Sequence, residues 1–332
     1  MRRNFDELWT ELAAIPDEEI AQGGQILTAI DEAVAYLGSD AAIASIGEDT
    51  YWPKWNGPWW QMVLLWELGE AYRIPARAVR AMVDGLEALP LHTFPIRDED
   101  WPPDLDHGRH SSCHCALGTI DQVLTACGVD VDAKLPWIAP WYTRYQMRDG
   151  GLNCDETAYL VEDECPSSMV GTVPAFEAMR RRGPSEFLEH AAGFMIEREL
   201  RLGSTSNHNS DERDSQAAWL DLAFPRFYFY DVLRGLTALV RWAELMQREL
   251  PVHAIAFAAD RLVALAPDGI VRVGRRPFEG IGTRARNDRG VWTRREHAGT
   301  FPLLEATSEV GAVSVSLTQE WRDTRHTLLS MI

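Results

Sequence analysis

Residues 59–74 read WWQMVLLWELGEAYRI. Apolar side chains fall on nearly every face of a helix through this stretch. It therefore predicts an inner helix covered on all sides, not an amphipathic surface one. The next stretch, ARAVRAMVDGLEAL (76–89), is apolar on one face only, as an outer helix is. The same order recurs. CALGTIDQVLTACG (115–128) and SSMVGTVPAFEAMRRRG (167–183) are apolar and rich in small residues. Each precedes an amphipathic stretch, LPWIAPWYTRYQMRDGG (135–151) and PSEFLEHAAGFMIERELRLG (184–203), the latter with Pro184 placed to open its helix. FYDVLRGLTALVRWAELMQREL (229–250) and PVHAIAFAADRLVALAPDG (251–269) complete the series.

Repetition of an inner–outer helix pair at roughly fifty-residue spacing predicts a repeat architecture. Polar residues gather at the N-terminal ends of the inner helices, which suits a closed ring with those ends around one mouth. Inner helices are expected to begin near residues 57, 112, 167 and 227, and an N-terminal helix within residues 1–40 joins the outer ring. Strictly alternating runs are scarce. GIVRVGRR (269–276) is the best strand, so a small hairpin is expected near 270–295. The fold class is all-α, in a single domain over residues 1–332. VDVDAK (129–134) reads as a turn, and three polar stretches (96–112, 203–216 and 286–300) as loops.

Composition narrows the function. A formal charge of −18 makes nucleic-acid phosphates and anionic membranes poor general partners. No run of eighteen apolar residues is long enough to span a bilayer. The N-terminal MRRNFDELWTELAAIPDEEI is interrupted by acids at once and is not a signal peptide, so a cytoplasmic location is expected. Nothing in the sequence fixes the oligomeric state.

The chemistry-bearing residues cluster. The five cysteines, Cys113, Cys115, Cys127, Cys154 and Cys165, are too odd a number for a disulfide framework. Cys127 ends an apolar run and reads as a core residue. HGRHSSCHC (107–115) concentrates His107, His110, Cys113, His114 and Cys115 at the start of an inner helix. Cysteine and histidine are the preferred ligands of zinc, which takes four in a tetrahedron. On a helix, Cys113 and Cys115 would point about 200° apart and not share an ion. At most one of them, with His114 or His110, would face the mouth; the metal candidates are His114 and Cys115, with Cys154 and Cys165 supplied by other loops and Asp155 and Asp231 as further candidate ligands. In DGGLNCD (149–155) the glycines permit a tight turn that would carry Cys154 to the mouth, as metal ligand, nucleophile or simple turn residue. Asp231 and Asp155 are the candidate catalytic carboxylates. Asp231 lies in an apolar helix start, where a carboxylate needs a partner, and a cap or a pair with Arg234 competes with a catalytic role. Glu177 raises the same question. Trp59, Trp60, Trp141, Tyr228 and Tyr230 are candidates for the wall of an apolar ligand cavity, core packing being the competing account.

DGGLNCD, SSMVGTVPAFEAM and FPRFYFYDVLRGL (224–236), in that order, resemble stand-alone bacterial relatives of the prenyltransferase and squalene-cyclase repeat superfamily. The resemblance covers roughly residues 55–265 and implies an (α/α)6 toroid with a central apolar cavity. It also implies a terpenoid-like substrate and, through Asp163-Glu164-Cys165, the Asp-x-Cys zinc pair of prenyltransferase β-subunits. The later zinc histidine of those subunits has no counterpart in FPRFYFYD, and the acid motif of the cyclases is absent. The expected function is an enzyme with a cavity at the toroid mouth, zinc as candidate cofactor and an apolar or isoprenoid-like small molecule as substrate. A non-catalytic ligand- or protein-binding toroid competes with it. So does a carbohydrate-active enzyme using Asp155 and Asp231.

Overall fold

A computed structural model describes residues 5–331. The chain is mostly helical, as expected, and begins with α1 (Phe5–Ala14), α2 (Gly24–Leu37) and α3 (Asp40–Glu48). The single helix anticipated within residues 1–40 is thus two helices. Residues 16–23, from Pro16 to the Gly23 N-cap of α2, are not helical and separate the two. Next come α4 (Pro58–Glu67), α5 (Ala76–Glu87), α6 (His114–Ala126), α7 (Val131–Lys134), α8 (Ile138–Tyr145), α9 (Met169–Arg180) and α10 (Glu186–Glu197). The expected turn at 129–134 contains the short α7, capped by Asp130. The chain ends with α11 (Ser210–Ser215), α12 (Val232–Met246), α13 (Val252–Leu265), α14 (Pro302–Thr307) and α15 (Val315–Ser330). An antiparallel hairpin pairs β1 (Thr283–Arg286) with β2 (Trp292–Arg295), Thr283 opposite Arg295. It falls inside the expected window. GIVRVGRR itself makes only isolated bridges.

The helices expected to be inner are buried nearly all round, and their starts carry recognisable caps. Pro58 opens α4, the Ser168 hydroxyl accepts from Gly171 N–H at α9, and Asp231 caps α12. They pack in sequence order, α4 on α6, α6 on α9 and α9 on α12, with the one-sided α2 against α4 and α15 against α12. The amphipathic helices lie against them, α10 on α9 and α12, α13 on α12, and α1 across α13 and α15. The closest seam is α6 against α9, where Gly118 meets the backbone of Pro174 and any Cβ would overlap it.

Helices α4, α6, α9, α12 and α15 line one cavity of about 520 Å³. Its wall includes Glu67, Gln122, Glu177, Arg234 and Glu320, so it is more polar than the apolar cavity expected. Helix α12 starts five residues later than anticipated. The segment 224–230 before it turns inward, with Phe227 at φ 55° stacked on Trp55 at 5.0 Å.

Candidate metal centre

The site begins with a cysteine that is not helical. Cys113 precedes α6 with φ −131° and ψ 168°, an extended backbone, while Cys115 lies in the first turn. The 100° per residue of a helix therefore does not separate them. Their Sγ atoms are 3.3 Å apart, which corrects the expectation that they could not share an ion. Cys154 arrives from the DGGLNCD turn. Gly150, at φ 92°, lies so close to the His190 carbonyl that a side chain would overlap it. The Asn153 Oδ1 accepts from Asp155 N–H at 2.9 Å, and its Nδ2 donates to the Pro166 carbonyl at 2.5 Å. This turn sets the Cys154 sulfur 3.4 Å from the Cys115 amide nitrogen.

The three sulfurs of Cys113, Cys115 and Cys154 lie within 4.8 Å of one another and could hold a metal ion. Tetrahedral zinc with 2.3 Å bonds would separate its sulfurs by about 3.8 Å, so small shifts suffice. Cys113 is held well below the ordinary thiol range by S–H donors from Cys115 and Cys154, whereas those two are pushed up by sharing the cluster with it. Cys113 and Cys154 also line a cleft of about 210 Å³ whose aromatic walls are Tyr51, Trp52, Phe94 and Trp101.

One lysine lies near enough to the sulfurs for their charges to act on it. Lys54 Nζ donates to Tyr228 Oη at 3.1 Å and sits 5.3–5.6 Å from the ring centres of Tyr51, Trp52, Trp55 and Tyr228. Burial lowers its pKa, and the charges of Cys115 and Cys113 partly offset that. It has no carboxylate partner in the ion pairs among the described residues. Sequence reasoning missed it. The signal was available, since Lys54 and Lys134 are the only lysines in a chain whose other basic residues are arginines. Unlike arginine, lysine can give up its proton in a protein.

The other candidates are placed elsewhere. His114, proposed as a ligand, is buried with both ring nitrogens occupied. Trp141 Nε1–H donates to Nδ1 at 2.8 Å, and Nε2–H donates to Tyr159 Oη at 2.9 Å. Burial lowers its pKa to about 4, so it is a neutral core histidine. Cys165 lies outside the cluster, beside Ser167. Glu164 of its Asp-Glu-Cys motif is bonded to Ser206 and Asn207. Asp155 caps a short 3-10 turn and pairs with His208 at 3.0 Å. Asp231 is saturated: Arg226 donates twice, at 2.8 and 3.0 Å, and Ala223 and Arg234 give backbone N–H groups. The two carboxylates thus sit in separate networks, and neither lines the thiol cleft. Glu177 is paired with Arg234 at 2.6 Å.

The aromatic candidates divide. Trp59, Trp60, Trp141 and Tyr230 are buried and line neither cavity, with the Tyr230 hydroxyl donating to the Leu200 carbonyl. Tyr228 faces Lys54 and feels the cysteine charges. No protein-family model, curated protein or solved structure matches the chain.

Proposed function

We propose that the chain is a metal-dependent enzyme whose zinc is held by the thiolates of Cys113, Cys115 and Cys154, acting on a small apolar molecule in the adjoining cleft. The observation that carries this reading is the convergence of three sulfurs from two separate segments, two of them lining that cleft. Three protein ligands leave zinc a fourth position for a substrate group or water, whose pKa it lowers when bound. Three thiolates around a divalent ion leave one net negative charge, which the Lys54 ammonium, already influenced by the charges of Cys115 and Cys113, would balance. Tyr51, Trp52, Phe94 and Trp101 suit an apolar body.

The (α/α)6 toroid belongs to the same proposal. Six helices follow one another, α2, α4, α6, α9, α12 and α15, the last five line one cavity, and α1 bridges α13 and α15. That order supports kinship with the prenyltransferase and squalene-cyclase superfamily, whose motif segments lie at the DGG turn, the α9 start and the α12 start.

The test is elemental analysis of untagged protein purified without chelator. Near-stoichiometric zinc is expected, lost in Cys113→Ser, Cys115→Ser and Cys154→Ser and kept in Cys127→Ser and Cys165→Ser. A metal-free chain that takes up no added zinc would overturn the reading. Cys113, at a helix start and with its pKa lowered by S–H donors, supports a second reading, a metal-free thiol nucleophile. Rapid alkylation of Cys113 in metal-free protein, undiminished by added zinc, is its signature.

A further inference from the structure

We propose that the cavity lined by α4, α6, α9, α12 and α15 is a second ligand site, distinct from the thiol cleft, which takes a small organic oxyanion through Arg180 and Arg241. The two guanidiniums stand on neighbouring helices, Arg180 at the last residue of α9 and Arg241 in the second half of α12, and both line the cavity. They are close enough that the charge of Arg241, after burial, is the largest influence depressing Arg180. Among the described residues neither has a hydrogen-bond or ion-pair partner, while the other two arginines of the wall are fully engaged. Arg226 pairs with Asp231 and Glu320, and Arg234 with Glu177.

The acids of the wall are committed as well. Glu177 also accepts from Gln122, Glu67 accepts backbone N–H groups of Arg226 and Phe227, and Asp323 accepts from Gln319. Exposed Glu244 and the already paired Glu177 act on Arg180 only at longer range. Two half-buried like charges side by side repel each other and lose hydration, a cost that a shared counter-anion removes. Guanidinium forks match the paired oxygens of phosphate or carboxylate. A volume of about 520 Å³ accepts a ligand of metabolite size, and Trp66, Leu68, Phe224 and Phe227 give its body an apolar wall. The oxyanion belongs to a phosphate or carboxylate group, and the site lies on different residues from the thiols, so it stands whether or not zinc binds.

The test is titration of the full chain with inorganic phosphate, and separately with succinate, at constant ionic strength set by chloride. Thermal unfolding and calorimetry are the readouts. At tenfold excess over Kd, a saturable rise in Tm of about 2–4 °C is expected with at least one of the two anions, and the responding anion identifies the headgroup. Arg180→Gln, Arg241→Gln and the double variant should lose that response while the anion-free Tm stays level or rises. Cys154→Ser should keep it. No saturable binding of either anion, or a response unchanged in the double variant, would overturn the proposal.

Discussion

At the scale of single residues, the thiol site turned on one backbone conformation. HGRHSSCHC has the composition of a metal site, yet helical geometry at both cysteines nominated His114, which lies outside the sulfur cluster. His114 has the ligand's chemistry but is spent on Trp141 and Tyr159, which a sequence cannot reveal because its partners lie 27 and 45 residues away. Cys113 was set aside because a residue just before a helix was treated as inside it. Glu67 gives a residue-scale prediction. Burial raises its pKa from 4.5 to about 7. Between those values the folded chain keeps a proton that the unfolded chain releases. Its contribution is therefore full below pH 4.5 and is lost as pH rises through 7, by an order of 1–3 kcal/mol. Urea unfolding at pH 5 and pH 8 should show that loss in the parent and a flatter profile in Glu67→Gln. Parallel profiles would assign the slope to another group.

At the scale of elements, helix type and order were legible because burial leaves a periodic trace. WWQMVLLWELGEAYRI and ARAVRAMVDGLEAL differ in the number of apolar faces, and they become a covered and a half-covered helix. The start of α12 was less legible because Phe227 to Tyr230 look helical by composition, while aromatic stacking with Trp55 holds them in a turn. Two glycines test how the elements are spaced. Gly118→Ala should destabilise by about 1–3 kcal/mol or more, since its Cβ has no room against Pro174. Gly193→Ala, in open space within α10, should stabilise by roughly 0.5–1 kcal/mol. Chemical denaturation of both compares a close helix contact with plain propensity. Asp231→Ala removes the cap of α12 and leaves Arg226 without its buried partner. A cost of about 3–5 kcal/mol is expected by the same measurement. A change below 1 kcal/mol would instead leave the carboxylate free for another role.

At the scale of the molecule, the two ends of the chain are bound together. The buried Arg325 of α15 donates to the carbonyls of Leu12 and Ile15 and pairs with Asp17, and Leu8 and Leu12 form the fully buried face of α1. Leu12→Ala should cost about 2–5 kcal/mol and make the last helix an early target in limited proteolysis, if closure depends on that seam. An unchanged cleavage pattern would mean that α15 is secured without α1.

The spacing of the sulfurs has a consequence for the chain as a polymer. Cys115 and Cys154 are 39 residues apart, and the segment between them holds α6, α7 and α8. An ion gripped by these sulfurs would also be a crosslink, closing a loop whose ends the unfolded chain could no longer separate. In the chain-entropy treatment of crosslinks, a loop of that length is worth about 4 kcal/mol. A chelator would then do more than remove a reactive centre. It would unfasten a knot in the first half of the polypeptide, and the loss would register as slackness in α6 to α8 before any change in chemistry was measured.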